Sequence, residues 1–86
     1  MDLPERLRHL RRSRKVSQEQ LAAAVEVARS NISGYEHGDV RPSYEILIRL
    51  ADFFGVSLDY LVGRTDRPEI NRSANSPEID DPDPRR

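Results

Sequence analysis

Apolar positions along the first sixty residues recur at helical spacing and stop at capping residues, which predicts five short helices and no strand. The first runs from Leu3 to about Arg14, with Asp2 as its cap, Pro4 tolerated in the first turn and Glu5 placed to reach back as in a capping box. Its apolar residues Leu3, Leu7 and Leu10 form one narrow stripe. Ser17-Gln-Glu-Gln20 reads as a second capping box, opening a helix whose apolar face is Leu21, Ala22 and Val25. A third helix fits Ala28 to His37 and ends at Gly38, a residue type that accepts the left-handed backbone beyond a helix C-terminus. Pro42 blocks continuation and Ser43 caps a fourth helix, with Leu47, Leu50, Ala51 and Phe54 at i, i+3, i+4 and i+7 before Gly55 stops it. Ser57 caps a last helix from Leu58 to about Val62, closed by Gly63. The expected fold is therefore all-α, a compact five-helix domain over residues 1–64.

Beyond Arg64 the pattern fails. Residues 65–86 hold four of the six prolines, no aromatic residue, and Ile70, Ala74 and Ile79 as their only aliphatic residues. Such a segment buries too little apolar surface to offset the ordering of its chain, so it is expected to be a disordered acidic tail or linker. The 86 residues thus provide one small core and not two.

A net charge of −1 conceals an uneven distribution. Residues 1–64 carry ten Lys or Arg against nine Asp or Glu, and the remainder four against six. Six of the basic groups fall between Arg6 and Lys15 with no acidic residue among them. Such a run is either the solvated face of a helix or a nucleic-acid footprint, and it needs a second feature to decide.

Other chemistries find little support. The absence of cysteine removes disulfides and thiolate chemistry. His9 and His37 have no zinc-site spacing, and no apolar run approaches the ~18 residues of a membrane span. The residue pattern offers no nucleophile beside a histidine, no Gly-rich phosphate loop and no cofactor motif, and Asp80 to Asp83 fall in the tail without a scaffold. The expectation is a soluble, intracellular protein that is not an enzyme and uses no metal or cofactor.

The third helix supplies the deciding feature. Two short helices joined by a tight turn match a helix-turn-helix unit, whose second helix enters the DNA major groove. With Ile32 facing inward, Ala28, Tyr35 and Glu36 lie within about 80° of it, while Ser30 and Gly34 point away, flanked by Asn31 and Ser33. A merely solvated face favours better helix formers, and Gly34 alone costs roughly 1 kcal/mol relative to alanine. A closely approaching DNA backbone or base edge would account for it; a tolerant surface site is the plainer alternative.

Val16-Ser-Gln-Glu-Gln-Leu-Ala22, Val27, Asn31-Ile-Ser-Gly-Tyr-Glu36, Gly38, Arg41-Pro-Ser43 and the run Leu50 to Gly63 together resemble the phage repressor and Cro (Xre) family of helix-turn-helix DNA-binding domains over about residues 3–64. The resemblance implies a lambda-repressor-like domain that binds a palindromic operator as a homodimer and regulates transcription, usually as a repressor, in the cytoplasm at the nucleoid. It implies that Gln18 holds a phosphate and braces the recognition helix, and that Arg29, Ser30, Ser33 and Gly34 meet base edges. Arg29 has the reach to fork onto a guanine, or else to hold a phosphate. Asn31, Tyr35 and Arg41 become candidates for phosphate contacts that set register. Arg11 and Glu36 match a family ion pair between the first and third helices.

Two positions depart from the family pattern. Glu26 stands where the turn often carries glycine, and Ala28 replaces the usual Ser or Thr cap of the recognition helix, although its methyl group is also a candidate for thymine contact. The resemblance further implies dimer contacts among Phe54, Leu58, Tyr60 and Val62. The tail over residues 65–86 is a candidate site for a protein partner.

Overall fold

A computed structural model describes residues 1–69. Its elements are α1 (Leu3–Ser13), α2 (Gln18–Val25), α3 (Arg29–His37), α4 (Tyr44–Phe54) and α5 (Leu58–Leu61). The all-helical reading stands, with the ends of α1 and α5 each one residue shorter than expected.

Caps explain where the helices begin. Ser17 forms a reciprocal capping box with Gln20, while Ser43 accepts from the Ile46 amide at 3.2 Å and Ser57 from the Tyr60 amide at 3.0 Å. Asp2 accepts from the Glu5 amide at 3.2 Å, but α1 shows only this half of the expected capping box. Gly38 and Gly55 end α3 and α4 in the left-handed conformation. Glu26 closes α2 at φ 64° without being glycine, so the turn into α3 stores a conformational cost that glycine would avoid.

One core joins all five helices. Leu7 and Leu10 of α1, Leu21 and Val25 of α2, Ile32 of α3, Leu50 and Phe54 of α4, and Leu61 of α5 are buried together. Helix α3 lies against both α1 and α2, so its inward face is committed to packing and its orientation follows from two neighbours. After α5 the chain stays on the domain somewhat past Arg64: Asp66 lies 3.6 Å from Arg6, and the Pro68 carbonyl accepts from the Ser57 amide at 3.0 Å. The rest of the expected tail, residues 70–86, falls outside the described residues. Among the described residues no helix is long and apolar enough to cross a membrane.

Candidate nucleic-acid interface

One buried carboxylate locks α3 in place. Glu36, only 2% exposed, accepts from Arg11 Nε at 2.5 Å and Nη2 at 3.1 Å in a two-pronged ion pair. The Gln18 Nε2 group also donates to it at 3.1 Å. Arg8 Nη1 donates to the Glu36 backbone carbonyl at 3.1 Å. The body of α1, the first residue of α2 and the last turn of α3 therefore converge on a single residue. Gln18 is thus bonded to the helix it was expected to brace.

This arrangement accounts for much of the basic run. Arg8 and Arg11 hold Glu36, and Arg14 Nη2 donates to the Phe54 carbonyl at 2.9 Å, where the C-terminus of α4 is electronegative. Arg6 is 6% exposed and its guanidinium sits 3.9 Å over the Tyr60 ring, with Nε finding no hydrogen-bond partner among the described residues. These four arginines fasten helices together; neither alternative drawn from the charge pattern, a solvated face or a footprint, anticipated that use.

The outward side of α3 is small and polar at its N-terminal end. Ala28, Arg29, Ser30 and Asn31 are exposed, and Ser33 is half-buried. Arg29 forms no ion pair among the described residues, and Arg41 is exposed in the loop beyond the helix. Ala28 occupies the cap position without a side-chain bond, so the Arg29 and Ser30 amides have no acceptor among the described residues, while the Asn31 amide donates to the Ala28 carbonyl at 2.9 Å. Backbone amides, two serines, an asparagine and an arginine form a surface rich in donors and free of carboxylates.

Two sequence candidates sit differently from their expected roles. Tyr35 is 5% exposed and belongs to the core, which leaves at most its hydroxyl edge for a phosphate. Gly34 does point away from the core, but its missing side chain is explained by the protein itself: a Cβ there would stand 2.8 Å from Cγ2 and 3.2 Å from Cβ of Val40. The close neighbour expected to be DNA is a valine from the loop after the helix. Phe54, a dimer candidate, is 2% exposed because it fills the core, while its neighbour Phe53 is 40% exposed. Leu58, Tyr60 and Val62 are half-buried.

A histidine that was not among the expected contact residues, His37, also lies on this face. His37 Nδ1 is 2.8 Å from the Ser33 carbonyl oxygen and 3.5 Å from its hydroxyl. A carbonyl only accepts, so Nδ1 carries the proton and cannot take one from Ser33. The pair therefore orients the ring and is not a nucleophile with its base. Among the described residues no three His, Asp or Glu side chains gather as a metal site would require.

Comparison with known proteins agrees with this geometry. A family model described as helix-turn-helix matches residues 7–61. The HTH-type transcriptional regulator YobD of Bacillus subtilis is 42% identical over 65 residues, spanning 76% of this chain and 58% of its own. The cryptic phage CTXphi transcriptional repressor RstR of Vibrio cholerae is 33% identical over 64 residues, covering 74% of this chain and 57% of its own. The chain thus spans little more than half the length of the curated relatives it matches. The crystal structure of the P22 c2 repressor in complex with synthetic operator 9T superimposes with a TM-score of 0.69 at 32% identity, over 72% of this chain and 94% of that one.

Proposed function

The chain belongs to the Xre/Cro-type helix-turn-helix family, and on that footing we propose that it binds double-stranded DNA sequence-specifically and regulates transcription, as a repressor, by inserting α3 into the major groove. The observation that carries this reading is the pairing of a helix clamped from behind through Glu36 with an N-terminal outer face whose Arg29, Ser30 and Asn31 side chains are exposed, Arg29 forming no ion pair among the described residues. In this reading Arg29, Ser30 and Ser33 read base edges, with the Ala28 methyl group beside them, while Gln18, Asn31 and Arg41 hold phosphates. Gln18 then performs two tasks at once, gripping Glu36 and a phosphate, so the register of α3 on the backbone is coupled to its seating on α2.

A single α3 reads too few base pairs for useful specificity, so the active form is a homodimer on a palindromic operator with half-sites about 10 bp apart. Its interface draws on Leu58, Tyr60 and Val62, with Phe53 replacing the buried Phe54. The protein functions by binding, not by catalysis, and works in the cytoplasm on the nucleoid. The helical domain extends over residues 1–64 with Asp66 and Pro68 still held against it, and the segment beyond is a linker or a docking segment for a protein partner.

Selection of bound sequences from a random duplex pool tests the reading, because it reports half-site, spacing and symmetry together. A symmetric consensus is expected, with log affinity falling against log salt by about 0.9 per neutralised phosphate. No enrichment, or a flat salt dependence, overturns it. Arg29→Ala should change which sequences are selected, whereas Gln18→Ala should weaken all of them alike. Loss of a protein partner on deleting residues 70–86, with operator binding intact, would assign the tail its role.

A further inference from the structure

The outward face of α3 carries a side chain that does not belong to α3. Val40 lies two residues beyond the Gly38 cap, and its isopropyl group covers the place where a side chain on residue 34 would be. Three features fix it there. Gly38 turns the chain back at φ 81°, the Asp39 and Val40 amides both donate to the Gly34 carbonyl at 3.0 and 3.3 Å, and the absent Cβ of Gly34 leaves the seat for Cγ2. Even so, Val40 remains 45% exposed, among the few large apolar residues of the domain that face water.

A purely structural plug does not explain this combination. Alanine at residue 34 together with a smaller residue at 40 would avoid the clash and favour the helix by roughly 1 kcal/mol, and a polar residue at 40 would suit a half-exposed loop. Glycine at 34 with valine at 40 instead holds a rigid apolar group on the side of α3 that carries Ser30, Ser33 and His37. Base edges in the major groove offer one apolar feature, the C5-methyl group of thymine.

We propose that Val40 is a specificity-determining residue that reads a thymine methyl group in each half-site, substituting from the loop for the side chain that Gly34 lacks. The proposal rests on α3 entering the major groove, as described above. Because Val40 is held by backbone bonds and by the Gly34 seat, it meets the base without further ordering, and one buried methyl contact is expected to contribute about fourfold in affinity.

The test uses the full chain and an operator obtained by selection. Each thymine is replaced in turn by deoxyuridine, which removes only the C5-methyl group, and affinity is measured by fluorescence anisotropy for the wild type and for Val40→Ala. The expected result is one thymine per half-site whose replacement weakens wild-type binding about fourfold and leaves Val40→Ala unaffected, while other thymines behave alike in both proteins. An identical scan in both proteins overturns the proposal, as does a Val40→Ala loss of equal size on operator and unrelated duplex, which marks a sugar-phosphate contact. A pool that yields no operator fails the major-groove reading itself, and this proposal with it. Thermal unfolding of Val40→Ala close to that of the wild type ensures that the comparison is between folded proteins.

Discussion

Arg11 and Glu36 stand 25 residues apart in the chain, and their side chains meet through two parallel hydrogen bonds at the junction of α1 and α3. The carboxylate is 2% and the arginine side chain 13% exposed, so water is largely excluded from the pair. Removing one partner leaves the other charge buried and uncompensated. Arg11→Ala should therefore cost about 3–5 kcal/mol in urea unfolding, a large part of the ~5–15 kcal/mol typical of a whole domain. Arg11→Lys, which keeps the charge but not the fork, should recover only part of it. A loss below about 1 kcal/mol for Arg11→Ala would mean that the pair is solvated and does not hold α3, since exposed pairs contribute about that much or less.

The bare cap of α3 makes the opposite kind of prediction. Ala28 already has the extended backbone of a cap, φ −73° and ψ 149°, but no side-chain oxygen to accept from the first turn. Ala28→Ser should raise stability by about 1 kcal/mol, read as a higher urea midpoint with an unchanged slope. An unchanged midpoint would show that water and the Ala28 carbonyl already satisfy the first turn at no cost.

Glu26 closes α2 in the left-handed region at φ 64°, and its ion pair with Arg49 at 3.8 Å is between exposed groups. Relief of backbone strain should exceed both the greater unfolded-state freedom of glycine and the loss of this weak pair. Glu26→Gly is expected to stabilise the domain by about 0.5–1 kcal/mol in thermal unfolding. A lower melting temperature would overturn the claim that this turn is strained.

Gly63 allows the chain to pass the N-terminus. Its φ is +86°, and a Cβ there would stand 2.1 Å from the Met1 carbonyl oxygen, a backbone atom that cannot simply rotate away. Gly63→Ala should cost more than the ~1 kcal/mol of an unfavourable φ and should expose the amides of the first helical turn to faster hydrogen exchange. Wild-type stability and exchange in this variant would mean that the N-terminal residues do not pack as described.

Capping and periodicity are local properties, and they were legible in the chain itself. Ser17, Ser43 and Ser57 cap the helices where the sequence indicated, and the stripes Leu7–Leu10, Leu21–Val25 and Leu50–Phe54 became the core because burial of an amphipathic face follows from spacing alone. The polar outer face of α3 was legible for the same reason. What a face touches is a matter of three-dimensional packing, and there only the tertiary structure decided. It spent Arg6, Arg8 and Arg14 on neighbouring helices and brought Val40 over Gly34. A glycine on an outward face announces that something comes close; whether that neighbour is DNA or a valine six residues later depends on how the loop returns, and no periodicity encodes it.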